Sequence, residues 1–261
     1  MNEAARIHIQ KFNDIIKYCD NYCVMTRDSR LQRDAIAKLQ AMIVDCGDIK
    51  LKAVAHEDEE FANILLGFEC VAQCLCAELE MWIFLKEEKP DEAWDRLVAA
   101  QMAAVDSVRA HRTFAHNEAQ AARLEEIERL VFPPQVFVSA GMIVRHQECS
   151  ICGSEYGDCE HLAGKPYWGK FCYIIARDFE PHHIAIVKSP ADKRCRIMGF
   201  SVDNGECNRM TWRVGPPQLE QGHEPDSPGE IQRTSEGASD KKGLVSTARL
   251  IHSDLVKKRR G

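Results

Sequence analysis

The chain has 261 residues, of which 45% are hydrophobic and 28% charged, and its formal net charge is −6. This composition is typical of a globular protein with one large or two small cores, and it excludes a disordered chain. No apolar run approaches the roughly 18 residues that a membrane-spanning helix requires. The first residues show no basic region followed by an apolar stretch, so we expect a cytoplasmic protein without a membrane partner.

The N-terminal half has the hydrophobic period of amphipathic helices, which predicts an antiparallel helical bundle over residues 1–131. Residues 1–140 hold 24 acidic and 16 basic side chains, which disfavours a broad nucleic-acid-binding face in this half. The third helix is apolar around most of its circumference and should be central. Five helices are predicted: from about Ala4, after a cap at Asp28 or Ser29, from about Asp58 to Lys86, from Pro90, and from about Asn117 to Leu130.

After Phe132-Pro133-Pro134 the pattern changes to short strands, so the predicted fold class is α+β, with a small β domain over residues 132–214. The run Ile184–Val187 is expected to be buried. Residues 215–261 predict a disordered linker and a short basic amphipathic tail ending at Arg260. The predicted strands cover Gln135–Val144, Phe171–Ala176 and Ile184–Val187, with further strands at Arg196–Val202 and Met210–Val214.

Three cysteines and one histidine in the β region have the spacing of a structural zinc site. Cys149 and Cys152 flank a two-residue turn that is followed by Gly153, and Cys159 and His161 follow a six-residue loop. Four protein ligands fill a tetrahedral Zn²⁺ and leave no position for a reactive water. The other cysteines, including Cys172, Cys195 and Cys207, are expected to be ordinary thiols, mostly buried singly.

The run from Cys149 to Cys172 resembles a zinc-knuckle insert of phage-type and bacterial proteins. The flanking segments Val138–Gly141 and Glu180–Ala191 resemble the C-terminal strands of phage prohead (capsid maturation) proteases. In that family the nucleophilic serine lies in the second segment, where this sequence has Ala185, and Ser139 and Ser189 are poor substitutes for it. The resemblance implies a protease-derived module without protease activity, from a phage-related or anti-phage system.

An arginine and a histidine near the end of the fourth helix resemble the motif of the HEPN ribonucleases. In such a site, His116 would act on a ribose hydroxyl and Arg109 would stabilise the phosphate. A continuous helix would separate the two residues by about 10 Å along its axis, and neither Ala110 nor Ala115 forces a break. Favourable interactions with a helix C-terminus explain the same residues without catalysis.

Two further groups of residues suggest binding chemistry. Asp178, Glu180 and His182 alternate along a strand and would share one face, as a metal site or as a solvated rim. A basic and aromatic hairpin near the metal loop permits nucleic-acid binding, or it is a structural hairpin with glycine turns. The hairpin residues are Lys165, Tyr167, Trp168 and Lys170.

These observations favour a non-enzymatic protein that binds a protein partner or self-associates and carries a structural zinc site. The alternatives are a ribonuclease that uses Arg109 and His116, and a nucleic-acid-binding module that uses the zinc loop.

Overall fold

The computed structural model describes residues 3–216, which form five α-helices followed by small antiparallel sheets. The predicted α+β class is therefore confirmed. The predicted disorder and the basic tail fall on residues 217–261, outside the described residues. None of the described helices has both the length and the apolar content needed to cross a membrane. The helices are α1 (Glu3–Asp20), α2 (Ser29–Ala55), α3 (Glu59–Lys86), α4 (Pro90–Ala110) and α5 (Glu118–Val131).

Local capping signals set most of these boundaries, as the sequence predicts. The Asp28 carboxylate accepts a hydrogen bond from the amide of Arg30 at the start of α2 (2.7 Å), and that of Asp58 accepts one from Phe61 at the start of α3 (3.0 Å). Pro90 begins α4, where its missing amide hydrogen costs nothing. Helix α3 packs against both α2 and α4, which confirms it as the central helix.

A 3₁₀ helix (Arg112–Asn117) separates α4 from α5, so the expectation of no break between Ala110 and Ala115 is wrong. The break lets the buried ring of Phe114 pack edge-on against Phe68, with ring centres 5.1 Å apart. The same ring lies against Gly67, where a Cβ atom would overlap it. The chain leaves α4 at a local cap, in which the His111 ring nitrogen accepts from the Thr113 amide (3.2 Å).

The largest β element is a two-stranded antiparallel ribbon of β1 (Phe137–Cys149) and β4 (Ile174–Val187), paired along their whole length. The predicted strands at Phe171–Ala176 and Ile184–Val187 are mostly parts of the single strand β4. The polar residues between these two segments also pair with β1. A β-bulge in β4, opposite Gly141 and Met142, accommodates one extra residue, so the pairing continues on both sides of it. A small hairpin of β2 (Pro166–Tyr167) and β3 (Lys170–Phe171) lies between β1 and β4.

The expectation that Ile184–Val187 is buried is wrong. Ile184 is 62% exposed and Ile186 is 74% exposed. A two-stranded ribbon has a covering layer only where another element packs on it, and nothing in the described part of the chain covers this face. An apolar run in the sequence indicates a hydrophobic strand, but it does not indicate whether another element packs on that strand and buries it.

The last strands also differ from the prediction. The sheet consists of β5 (Gly199–Val202), β6 (Gly205–Asn208) and β7 (Val214–Gly215). Strand β6 was missed, and most of the strand predicted at Met210–Val214 is a turn, in which the Asn208 side chain accepts hydrogen bonds from the amides of Met210 and Thr211. The missed hairpin turns at Asp203 and Asn204.

A buried ion pair joins the β region to the bundle. The guanidinium of Arg196, whose side chain is 1% exposed, lies 2.6 Å from the carboxylate of Asp91 in the first turn of α4. The Asn208 amide donates to the other oxygen of Asp91 (2.9 Å), and Arg196 also lies over the ring of Trp94, 5.6 Å from its centre. The Trp94 indole N–H donates to the carbonyl of Lys193 (3.0 Å). We call these contacts the Asp91–Arg196 seam.

Replacing Arg196 by Met should destabilise the protein by about 3 kcal/mol, because it leaves the Asp91 carboxylate partly buried without its cation. The free energy of unfolding is measured in urea by tryptophan fluorescence. The control is Arg129→Met, which removes an exposed ion pair with Glu126 and should cost less than about 1 kcal/mol. Equal small effects of both substitutions would show that the seam does not hold the two regions together.

Candidate metal centre

Four side chains predicted as metal ligands converge at the end of the ribbon. One ligand atom each from Cys149, Cys152, Cys159 and His161 lies within 4.8 Å of all the others. Cys149 is the last residue of β1, and Cys159 follows a short 3₁₀ helix (Tyr156–Asp158). This Cys₃His group can hold a metal ion, and it is the only such cluster found among residues 3–216.

The turn after β1 donates hydrogen bonds to its cysteine sulfurs, which favours the thiolate form that binds a metal. Gly153 adopts a φ of +74°, which suits glycine, and its amide donates to the carbonyl of Cys149 (2.9 Å). The Ile151 amide donates to the Cys149 sulfur (3.4 Å). Although burial raises the pKa of Cys149, the amides of Cys152 and Ile151 outweigh it and lower that pKa to about 7. Hydrogen bonds from Ser154 likewise lower the pKa of Cys152.

The cysteines of the bundle show the opposite behaviour. Six of them are buried singly, as predicted. Burial raises the pKa of Cys70, Cys74 and Cys76 to about 12, so these thiols stay protonated and serve as small apolar side chains. Cys149 and Cys152 are thus distinguished by hydrogen bonds that stabilise their thiolates, whereas burial and the neighbouring Cys149 raise the pKa of Cys159.

His161 provides an independent test of whether a metal fits. Its Nδ1 atom is buried and has no hydrogen-bond partner. Its ring is fixed edge-on to Tyr167, with ring centres 4.7 Å apart. A buried polar atom without a partner is costly and calls for an explanation, and a bound metal ion at this cluster provides one.

Cys172 lies beside the metal loop, although it is a buried thiol, as expected, and is not one of the four clustered ligands. Its sulfur lies 3.7 Å from that of Cys149, and both side chains are buried. Burial raises the pKa of Cys172 to about 11. Sequence spacing could not reveal this contact, because the β2–β3 hairpin brings Cys172 back to the loop.

The β2–β3 hairpin packs against the bundle. The Trp168 amide donates to the Glu59 carboxylate (3.1 Å), and the Gly169 amide donates to the Asn63 side chain (2.8 Å), both at the start of α3. The predicted basic and aromatic residues of the nucleic-acid alternative therefore lie on a hairpin that is anchored to a helix. The Glu59 carboxylate at the hairpin turn is negatively charged and would repel a nucleic-acid phosphate. This favours the interpretation of the hairpin as a structural element.

Arg109 and His116 lie in different surroundings. Arg109 is exposed and forms an ion pair with Asp106 (3.5 Å). His116, in the 3₁₀ helix, lines a cavity of about 350 Å³ between α1, α3, α4 and α5, and Arg109 is not among the residues that line it. Because the chain breaks after α4, Arg109 and His116 do not lie on one continuous helix. The break nevertheless does not place both side chains in the same cavity.

The arginine that shares this cavity with His116 is Arg123, which the sequence analysis missed. Its guanidinium pairs with the carboxylate of Glu78, a fully buried side chain. Glu78 also accepts hydrogen bonds from Gln120 (3.0 Å) and Trp82 (3.3 Å). Burial raises the pKa of Glu78, although Arg123 opposes this shift. The positive charge of Arg123 is therefore already balanced from within the bundle.

The predicted polar face of β4 is only partly formed. Asp178 and Glu180 both contact Arg145 on β1, at 4.0 and 3.0 Å. His182 is the extra residue of the bulge and lies 2.9 Å from His183, Nδ1 to Nδ1. The register shift thus breaks the alternation from which a shared metal site was predicted.

Replacing Cys152 by Ser should lower the content of divalent metal, about one ion per chain in the wild type, because it removes a thiolate ligand. Cys152 is exposed, so the substitution leaves no cavity in a core. Elemental analysis after dialysis measures the metal, and amide hydrogen exchange should show lost protection in the ribbon and unchanged protection in the helices. Cys195→Ser, outside the cluster, is the matched control, and an equal metal content in both variants would contradict the assigned ligands.

Replacing His116 by Ala should change the free energy of unfolding by less than about 1 kcal/mol, because the side chain is exposed. We also expect no RNA cleavage by the wild-type protein, since Arg109 is outside the His116 cavity. The measurement is incubation of the protein with single-stranded RNA, with Arg109→Ala as a second variant. Cleavage that is lost in both folded variants would instead establish the ribonuclease.

Comparison of the chain with models of protein families, with curated proteins and with solved structures gives no match. The resemblances to prohead proteases and to HEPN ribonucleases therefore stay predictions, and the function has to be inferred from the residues themselves.

Proposed function

We propose that this protein is a non-enzymatic assembly subunit, in which a structural zinc ion fixes a β ribbon that associates with a second copy of the chain. The observation that carries this proposal is the apolar, uncovered face of the ribbon. The metal loop and the ribbon are directly connected, because β1 ends at Cys149, which is one of the metal ligands.

The ligand chemistry supports zinc. Three soft sulfur donors and one imidazole suit Zn²⁺ better than hard cations such as Mg²⁺ or Ca²⁺. Four protein donors fill a tetrahedral ion, so it would serve stability and not catalysis. Reduced thiols are maintained in the cytoplasm, which supports the predicted compartment.

The ribbon has one apolar face along most of its length. Alternation places Val138, Ala140, Met142 and Val144 of β1 on this face, and the register pairs them with Ile186, Ile184, Pro181 and Phe179 of β4. The opposite face begins with Phe137, whose ring lies 6.2 Å from that of Trp94 in the bundle. We call the first set the outer face, because it points away from the side that contacts Trp94.

The exposure of the outer face matches what a dimer interface needs. Met142 is 50% exposed and Phe179 is 46% exposed, in addition to Ile184 and Ile186. Because an aromatic side chain buries about 150–250 Å² and the four large side chains of this face are 46–74% exposed, these residues and their partly exposed neighbours offer roughly 600 Å² per chain. Two such faces together bury about 1,200 Å², the lower limit of a specific interface.

A second copy suits this face better than a charged partner does. None of the eight outer-face residues is charged. Two copies can therefore meet there without like charges in contact, although each chain has a net charge of −6. The resemblance to prohead proteases, which act in capsid assembly, supports the same kind of role.

Replacing Ile186 by Glu should weaken self-association at least about tenfold, because it buries an unpaired carboxylate in an apolar interface. Light scattering coupled to size exclusion measures the mass, and the wild type should show twice the 29.6 kDa chain mass. The matched control is Ile143→Glu, a half-exposed isoleucine on the opposite face of the ribbon. A monomeric wild-type protein at about 100 μM, or equal effects of both substitutions, would refute the second copy as the occupant.

A further inference from the structure

Cys172 is held firmly beside the predicted ligands. Its amide donates to the carbonyl of Lys165 (2.9 Å), and its carbonyl accepts from the amide of Gly164 (2.8 Å). These bonds fix its backbone at the base of the β2–β3 hairpin. Its side chain is 1% exposed, and that of Cys149 is fully buried, so the two sulfurs face each other away from solvent.

The separation of the two sulfurs is that of two ligands on one ion. Two thiolates bound at about 2.3 Å to a tetrahedral Zn²⁺ lie about 3.8 Å apart. The observed distance between the sulfurs of Cys149 and Cys172 is 3.7 Å. The Cys172 sulfur is not among the ligand atoms that all lie within 4.8 Å of one another, so its side chain must move towards the other ligands to bind an ion that Cys149 binds.

The four-donor cluster consequently has a fifth sulfur beside it. Cys149, Cys152 and Cys159 provide three sulfurs, and His161 and Cys172 compete for the fourth position. The two competitors are held by different elements, since His161 follows the metal loop and packs on Tyr167, whereas Cys172 follows β3. Loss of one of them therefore leaves the other in place.

We propose that Cys172 is a fifth donor of the metal centre, which occupies the fourth ligand position whenever the His161 imidazole does not. This inference rests on the proposed metal site. Exchange of Cys172 for His161 converts a Cys₃His centre into a Cys₄ centre without release of the ion. The thiol proton of Cys172 passes to solvent, and the imidazole leaves as the neutral base, so no oxidant or reductant is needed.

The test replaces His161 and Cys172 singly and together in the full-length protein and measures metal binding with Co²⁺ and Zn²⁺. His161→Ala should still bind one equivalent of Zn²⁺, with an affinity within about tenfold of wild type in competition with a chromophoric chelator. Its Co²⁺ form should show a sulfur-to-cobalt charge-transfer band about four-thirds as intense as a three-thiolate centre gives. The double variant should bind at least about 100-fold more weakly than His161→Ala.

Cys172→Ser alone should bind Zn²⁺ with the wild-type stoichiometry, through His161, and Cys207→Ser serves as the control for loss of a buried thiol. The fifth donor is refuted if adding Cys172→Ser to His161→Ala leaves both the affinity and the cobalt band unchanged. It is also refuted if His161→Ala loses the metal completely. Absence of any metal from the wild-type protein would refute the metal centre itself, and this outcome is distinct from the other two.

Discussion

The contact between Arg196 and Asp91 fixes the β region on the helices. Few large apolar side chains are buried in the described chain after Phe132, and Met210 is the largest of them. This region therefore cannot rely on a core of its own. Breaking a buried, hydrogen-bonded ion pair leaves an uncompensated charge and is strongly destabilising, so an arrangement that separates Arg196 from Asp91 is disfavoured. The seam sets the position of Phe137, and through it the start of the ribbon.

The ribbon is attached to the bundle at both of its ends. At one end Phe137 packs on Trp94, near the start of α4. At the other end β1 runs into the metal loop, whose hairpin is bonded to Glu59 and Asn63 at the start of α3. Helix α3 has 28 residues and is about 42 Å long, and β1 has 13 residues and is about 43 Å long. The matching lengths allow the ribbon to span the bundle while its outer face stays free.

Sequence reasoning succeeded where the determining signal is local. Asp58 predicts the start of α3 because a cap acts within one turn, and Cys149 and Cys152 predict a metal turn because both ligands share it. It failed where distant elements decide. Phe114 is buried against Gly67 on α3, and Cys172 reaches Cys149 only because the β2–β3 hairpin folds back. The exposure of Ile186 depends on the absence of a covering layer on its face among the described residues, which no local pattern encodes.

The metal centre and the outer face are coupled if both proposals hold. A ribbon of two strands is marginally stable by itself, so its order depends on its attachments. Loss of the ion frees the Cys149 end of β1, so the ribbon is then held by the seam at its other end and by the contacts of the hairpin with α3. A disordered ribbon must then be ordered before a second copy can bind, and that cost is subtracted from the association free energy. Binding of a second copy and binding of the ion therefore strengthen each other by the same free energy. This linkage suggests a role for Cys172, the fifth donor. When His161 is displaced, Cys172 keeps the ion bound, so the ribbon stays attached at its Cys149 end and the interface is preserved.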